Sequence, residues 1–260
     1  MITLSRGRRA LLLGIALACL LVACGGDDDN FDDRTGLADP KVRFVHAIPG
    51  GPAVTLQRSG NPEAAATNVN YKYGSQYYDV PTSFASFSLR IVSNNNELAT
   101  TSFDPSRGHK YTLIALPAAS GAELMVIDDP YNKSLTDDDA RLRVLNAAPN
   151  AQTFDVYLTA PSADLTAATP RLTGVAYKEA APASGGNSDE VEGDTYRLRI
   201  TPEGSKTVIF DNTVAVPKNG DWLLVVLPED TVPPTTNAVQ VLVVRADDSV
   251  DATDELQTQP

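Results

Sequence analysis

The fold is decided by a stretch that occurs twice in the chain, first as Arg43-Phe44-Val45-His46-Ala47-Ile48-Pro49 and again as Arg143-Val144-Leu145-Asn146-Ala147-Ala148-Pro149. In the first copy, residues 42, 44 and 46 alternate with residues 43, 45 and 47, and a proline-containing turn follows. A period of two that ends in a turn is typical of a β-strand. We therefore interpret both copies as the opening strand of a β-domain.

Four further segments recur in the same order in the two halves of the chain. They are Val54–Leu56 with Val156–Leu158, Leu89–Ile91 with Leu198–Ile200, Pro105–Gly108 with Pro217–Gly220, and Tyr111–Pro117 with Trp222–Pro228. Such ordered matches indicate an internal duplication, whose period is too long for a solenoid. Short strands with frequent turns and no helical period predict β-sandwiches. The predicted fold class is all-β, with two tandem Ig-like antiparallel β-sandwich domains after a signal peptide and an acidic tether.

The predicted organisation follows from these repeats and from the composition between them. The six expected parts are a lipoprotein signal peptide (1–23), a disordered acidic tether (24–40), a first β-sandwich domain (41–129), a linker (130–140), a second β-sandwich domain (141–247) and a disordered acidic tail (248–260). The second domain carries two insertions, at residues 160–172 and 180–187, and the latter has the composition of a mobile loop.

The first residues have the pattern of an export signal. Arginines at 6, 8 and 9 precede an apolar run that ends at Cys24 and is shorter than the ~20 residues that span a bilayer. The end of this run, Leu21-Val22-Ala23-Cys24, resembles the lipobox of bacterial lipoproteins, which implies cleavage before Cys24 and its lipidation. An ordinary secretory signal is the alternative. Export by the Sec or the twin-arginine route stays open, and Gly25 in place of Asp favours the outer membrane, on either its periplasmic or its surface face.

The charge of the chain limits its partners. The formal charge is −12, and removing residues 1–23, which hold three arginines and no acid, makes it −15. So acidic a chain repels phosphate backbones, and we predict no nucleic-acid partner.

The cysteines predict a fold without a disulfide. Cys19 would be lost with the signal peptide, so lipidation of Cys24 would leave no disulfide within a monomer. We therefore expect a core held by apolar burial.

Both repeats resemble the bacterial domain of unknown function numbered 4397. The resemblance is carried by the motif Arg-x-x-His-Ala-x-Pro at Arg43–Pro49, its Asn variant at Arg143–Pro149, the pair Tyr73-Gly74 and the strand Tyr111–Leu116. It implies exported, often lipid-anchored, Ig-like β-domains and no known reaction. The second repeat has the family's Asp-Val-Tyr element at Asp155–Tyr157, where the first has Ala53-Val54-Thr55. It also places Lys178 where the first has Gly74.

The candidate binding residues are His46, Tyr71 and Tyr73. Asn146 takes the place of His46 in the second repeat, and Asn cannot act as a base near neutral pH. A role shared by both is therefore a structural hydrogen bond to the adjacent turn. The tyrosines could stack on sugar rings, although cross-strand packing is the commoner use of aromatic residues.

No catalytic, nucleotide or metal motif is found, so we predict no catalytic residue, no metal ligand and no cofactor. The predicted function is a non-catalytic binding or surface-display module in the cell envelope. Its expected partners are the membrane, through the lipid anchor, and an envelope glycan or protein. One alternative is an enzyme, or an accessory subunit of one, with its site in the insertions or between the domains. The other alternative is a structural spacer.

Overall fold

The computed structural model describes residues 31–119, 121–131, 133, 135–230, 233–246 and 252–259. The predicted signal peptide, Cys24 and the first residues of the predicted tether lie outside the described residues. We call residues 41–130 the first unit and residues 140–259 the second unit. Within the described part of the chain, no helix is long and apolar enough to cross a membrane.

The first unit is built from eight strands. They are β1 (Lys41–His46), β2 (Val54–Arg58), β3 (Asn61–Pro62), β4 (Tyr78–Asp79), β5 (Ala85–Ile91), β6 (Glu97–Phe103), β7 (His109–Ala118) and β8 (Gly121–Pro130). One sheet has the order β4-β1-β7-β8 and the other the order β3-β2-β5-β6. Between the two sheets lies an apolar core that includes Phe44, Phe87 and Leu113. The first unit is therefore a β-sandwich.

The second unit repeats this plan with ten strands. They are β9 (Ala140–Asn146), β10 (Phe154–Thr159), β11 (Leu172–Val175), β12 (Ala180–Ala181), β13 (Asp189–Val191), β14 (Thr195–Pro202), β15 (Phe210–Ala215), β16 (Asp221–Pro228), β17 (Val239–Arg245) and β18 (Thr253–Leu256). One sheet has the order β12-β9-β16-β17-β18, with β13 also on β9, and the other the order β11-β10-β14-β15. The core between them includes Phe154, Leu198 and Val241.

The prediction of an all-β fold is confirmed. The ladders are antiparallel except in one place in each unit, where the opening strand lies parallel to the strand of the late motif: β1 beside β7, and β9 beside β16. Alternation explains the buried faces, because Phe87 and Leu89 on β5 are buried while Ser86 is exposed.

A third apolar cluster lies between the two units. It includes Val45 of β1 with the following Ala47, and Leu145 of β9 with the following Ala147, together with side chains of β7, β8, β16 and β17. The strands β9 and β16 consequently have no exposed residue, since both of their faces are covered. The four sheets therefore form a stack of layers in which the two central sheets pack against each other.

The tether and the tail differ from the prediction of disorder where they are described. At the N-terminal end, α1 (Phe31–Arg34) packs on the body, with Lys41 Nζ 3.2 Å from the buried Asp33 carboxylate. At the C-terminal end, β18 pairs with β17, and Gln259 N–H donates to Asp211 O at 2.7 Å. Both segments are polar, but their backbone groups and charges find partners on sheet edges and loops, which composition alone does not reveal.

The second insertion is more ordered than predicted, and the linker packs on the body. Tyr131, in the predicted linker, is buried, and its ring lies 3.9 Å from Lys110 Nζ. In the insertion at 180–187, Ala180 pairs with Leu145 of β9, and Gly185 N–H donates to Asp128 O at 2.8 Å. The insertion thus caps the end of β8 in the first unit.

Candidate functional site

His46, the first predicted candidate, fastens the turn that follows its own strand. Its Nδ1 accepts a hydrogen bond from Ile48 N–H at 3.4 Å, and its Nε2 lies 3.0 Å from Pro52 O. Because Nδ1 accepts, the proton is on Nε2, which donates to the carbonyl. Burial lowers the pKa of this imidazole, against the opposing effect of the Pro52 hydrogen bond. His46 is therefore a buried neutral residue with both nitrogens occupied.

Asn146 makes one equivalent contact in the second unit, to the backbone two residues later, and one different contact, to the end of β11. Its Oδ1 accepts from Ala148 N–H at 3.1 Å, and its Nδ2 donates to Val175 O at 3.1 Å. His46 and Asn146 thus share the bond from the backbone N–H two residues later, and they differ in the carbonyl to which they donate.

Tyr71 and Tyr73, the other two candidates, are half-buried and lie on opposite sides of the first unit's central sheet. The Tyr73 hydroxyl donates to Ala65 O, and its ring packs against the first core. The Tyr71 ring packs against the cluster between the units, with its centroid 6.4 Å from that of His46. Burial first, and then the charges of Asp230 and Glu255, raise the pKa of Tyr71. The structure brings Tyr71 and His46 together but does not form an open aromatic platform from the two tyrosines.

Lys72, which lies between these tyrosines, and Lys178 of the second unit occupy equivalent turns, which we call the two corners. Lys72 and Lys178 both have a left-handed backbone, with φ of 69° and 66°. Lys72 N–H donates to His46 O at 2.9 Å, and Lys178 N–H donates to Asn146 O at 2.8 Å. Lys178 is therefore the counterpart of Lys72, and the sequence-based match of Lys178 with Gly74 was wrong by two positions.

Each corner ties one unit to the other. Lys72 of the first unit lies 2.5 Å from Asp230 and 2.7 Å from Glu255 of the second. Lys178 of the second unit lies 2.9 Å from Glu123 of the first. The predicted candidates thus surround a structural junction between the units.

A buried ionic network extends this junction toward the opposite end of the strands. Asp129 accepts from Arg141 at 2.7 Å, from Arg143 at 3.1 Å and from the Ser188 hydroxyl at 2.9 Å. Arg143 also donates to the carbonyls of Pro182, Ala183 and Gly186. The arginine of the second repeated motif therefore holds the insertion at 180–187 in place.

A second carboxylate, Asp221, completes the network. It lies 3.4 Å from Lys110 Nζ and 3.7 Å from Arg141 Nη1. Burial would raise the pKa of Asp221, but the charges of Lys110, Arg141 and Arg43 hold it below its ordinary value. The space between the units, where an enzyme site was considered, is thus filled by an apolar cluster and these paired charges.

The outer face of the first unit carries a row of accessible polar side chains, and sequence reasoning did not select it as a site. We call it the open face and define it by the outward side chains of β2, β5 and β6: Thr55, Gln57, Ser86, Ser88, Arg90, Glu97, Thr100 and Ser102. These residues lie opposite one another in rungs across the sheet, for example Gln57 with Ser88 and Ser88 with Thr100. None of the eight is buried.

The charges on the open face are paired within it. Arg90 Nε donates to Gln57 Oε1 at 3.0 Å, and Arg90 Nη2 lies 3.2 Å from Glu97 Oε2. The remaining groups are mostly hydroxyls, so the face offers donors and acceptors of hydrogen bonds without excess charge. The sequence signal was the alternation itself, which placed Ser86, Ser88 and Arg90 opposite the core side chains.

The same face of the second unit is covered by the insertion at 160–172. Arg199 Nη2 donates to Ala163 O at 3.0 Å, and Lys206 Nζ donates to Ala168 O at 2.5 Å across the Tyr157 ring. Tyr157 and Arg199 are consequently buried, whereas their counterparts on the open face remain accessible. The two units thus differ in their outer faces, because the insertion at 160–172 covers part of one and the other has no such cover among the described residues.

One group of described residues has carboxylates close enough to share a metal ion. The ligand atoms of Asp137, Asp138 and Asp139 lie within 4.8 Å of one another. Asp138 already pairs with Lys218 at 2.6 Å, and Asp137 Oδ1 accepts from Asp139 N–H at 2.9 Å. An acidic cluster whose oxygens are used in this way is accounted for by the turn that it forms.

Comparison with known proteins gives one family match. Residues 40–157 match the family described as "Domain of unknown function (DUF4397)". No curated protein matches the chain. Among solved structures, the chain is similar to the crystal structure of CBMbc (family CBM26) from Eubacterium rectale Amy13K in complex with maltoheptaose, at 13% identity, over 85% of this chain and 98% of that one, with a TM-score of 0.21. A TM-score this low establishes no common fold, whereas the family match supports the family that the repeated motifs indicated, over residues 40–157.

Proposed function

We propose that this protein is an exported, lipid-anchored protein of the cell envelope, attached through Cys24 to the outer membrane, that acts as a non-catalytic binding module. We further propose that the open face binds a neutral glycan of the envelope. The observation that carries this proposal is the contrast between the two outer faces, one accessible and rich in hydroxyls and the other covered at Tyr157 and Arg199 by the insertion at 160–172.

The chemistry of the open face favours a sugar as the ligand. A glycan presents many hydroxyl groups and no charge, and its hydrogen bonds need partners that can both donate and accept. Ser88 and Thr100 provide such groups side by side, and Arg90 is already neutralised by Glu97. A strongly anionic ligand would find no unpaired cation on this face and would be repelled by the acidic chain as a whole.

The use of the motif residues also favours binding over catalysis. His46 and Asn146 are fully engaged in fastening turns, and Arg143 holds the second insertion. A general base needs a free acceptor within reach of a substrate. These three residues are instead engaged in structural hydrogen bonds.

A substitution in the middle of the open face tests the proposal. Thr100 pairs with Ser88 on the open face, and Thr213 is its counterpart on the edge strand of the second unit, where it pairs with Arg197. Both threonines are exposed. We expect a glycan array with the mature chain to give positive sugars, and Thr100→Arg to weaken their binding at least tenfold by calorimetry. Thr213→Arg should leave it unchanged. Absence of any glycan ligand, or equal binding by both variants, would contradict the assignment.

Lipidation is tested separately from glycan binding. Cells grown with radioactive palmitate should label the wild-type protein, and Cys24→Ser should abolish the label. An unlabelled wild type would overturn the anchor without affecting the proposal for the open face.

A further inference from the structure

The most exposed large apolar side chains of the described residues are Phe84, Leu37 and Leu135, which are 63%, 59% and 55% exposed. They belong to three separate loops. Single exposed apolar residues are ordinary on protein surfaces, so their position relative to each other decides whether they matter.

The topology places all three at the same end of the strands, which we call the base. Leu37 precedes β1, and β1 starts at the base. Phe84 immediately precedes β5, which runs in the same direction because it is antiparallel to β2, and β2 returns from the far end of β1. Leu135 lies between β8, which ends at the base, and β9, which starts there.

Hydrogen bonds connect these loops to one another. Arg107 Nη1 donates to Leu37 O at 3.2 Å, and Val80 N–H, in the loop before Phe84, donates to Pro40 O at 2.8 Å. Arg34 Nη1 donates to Asp137 O at 2.8 Å, which joins the segment of Leu37 to that of Leu135. The three loops of the base are therefore joined to one another by hydrogen bonds.

The chain enters the protein at this surface. The helix α1 is fixed to the body at the base, and six residues separate Cys24 from its first residue, Phe31. At about 3.5 Å per residue, a lipid on Cys24 lies within about 25 Å of Phe31 in any conformation of the intervening residues. The lipidated chain thus enters the folded body at the end that carries the three apolar side chains.

We propose that the base lies on the surface of a zwitterionic bilayer, with Leu37, Phe84 and Leu135 in contact with the lipid. This proposal rests on the lipidation of Cys24. A short tether raises the effective concentration of the base at the membrane, so contacts that would be too weak alone become occupied. Asp39 lies in the segment of Leu37 and Asp137–Asp139 in that of Leu135, and the chain as a whole has a formal charge of −12, which favours a zwitterionic over an anionic surface.

The strands would then stand away from the bilayer. The open face would rise from the base toward the aqueous phase, with its ligand-binding rungs clear of the lipid. Val92, at the far end of β5, would point away from the membrane.

Spin-label accessibility tests the orientation. The mature chain has no cysteine besides Cys24, so Phe84→Cys or Leu135→Cys in the lipidated protein gives a single labelling site. Val92→Cys is the matched control, because Val92 and Phe84 flank the two ends of β5 and Val92 is also exposed, at 45%. On phosphatidylethanolamine–phosphatidylcholine vesicles, we expect labels at 84 and 135 to become protected from a water-soluble relaxation agent and accessible to oxygen. The label at 92 should remain aqueous.

The outcomes separate the two proposals. Lipidated, vesicle-bound protein whose labels at 84 and 92 are equally aqueous would overturn the membrane-facing base and leave the anchor intact. A chain that carries no lipid by mass spectrometry would overturn both. Adding anionic phosphatidylglycerol at low salt should reduce the protection at 84 and 135, and an increase there would contradict the assignment of a zwitterionic surface.

Discussion

The Nδ1 atom of His46 and the Oδ1 atom of Asn146 each accept a hydrogen bond from the backbone N–H two residues later, in equivalent turns of the two units. Each side chain also donates to a carbonyl, His46 from Nε2 to Pro52 O and Asn146 from Nδ2 to Val175 O. The polar residue of the motif therefore fixes the backbone of the following turn in both halves of the chain, although one is an imidazole and the other an amide.

His46→Asn should therefore preserve the fold. The amide can accept from Ile48 N–H as Asn146 accepts from Ala148 N–H, so we expect a loss of unfolding free energy of no more than about 1 kcal/mol in urea titrations. His46→Leu, which leaves the Ile48 amide and the Pro52 carbonyl without these partners, should cost about 2–3 kcal/mol or more. Equal destabilisation by the two variants would show that the hydrogen bonds do not matter.

The pH dependence of stability should also change in His46→Asn. Burial lowers the pKa of folded His46 from its ordinary value of 6.5, so the unfolded chain binds the proton more readily. The wild type should therefore lose stability as the pH falls below 6.5 and toward the lowered folded pKa, and this contribution should be fully present above 6.5. Thermal melts between pH 7.5 and 5 should show a smaller decrease for His46→Asn. Parallel curves for the two proteins would contradict the assignment of a neutral buried imidazole.

Asp129→Asn should be strongly destabilising. It removes the charge shared by Arg141 and Arg143, both of which are buried, and breaking one side of a buried ion pair typically costs about 3–5 kcal/mol. Asp138→Asn is the control, because its pair with Lys218 is exposed to solvent. Denaturant titration should show a clear loss for Asp129→Asn and no measurable change for Asp138→Asn.

Gly74→Ala should disturb the contact between the first unit and β18. A Cβ atom at Gly74 would lie 2.6 Å from Thr253 Cγ2 and 3.0 Å from Val244 Cγ1. Overpacking of this kind typically costs about 1–3 kcal/mol. Thr253→Ser removes the closer methyl group, so the double variant should recover part of the loss, and a double-mutant cycle measures this coupling. Additive effects would show that the two residues do not contact each other.

Much of the fold could be predicted because strand periodicity is local. The alternation along Arg43–Ala47 and its repeat at Arg143–Ala147 were sufficient for the all-β class and the duplication. Alternation along β5 also places Ser88 on the face opposite Phe87 and Leu89, so it predicts which residues form the open face but not that this face is a site. Disorder was predicted at both ends of the chain, but residues 31–34 form α1 and residues 253–256 form β18. Composition does not reveal this order, because it comes from contacts with other elements such as β17.

The sequence by itself determined which side chains of each strand point to the same face, because that depends only on a period of two. It also contains the repeated motifs and the pattern that predicts an export signal, since both are patterns along the chain. Only the tertiary structure decided that Val45 and Leu145 meet across the two units and that the insertion at 160–172 covers one outer face. It also decided that Leu37, Phe84 and Leu135 share the end at which the chain enters. These relationships join residues far apart in sequence, and the packing of one sheet against another sets them.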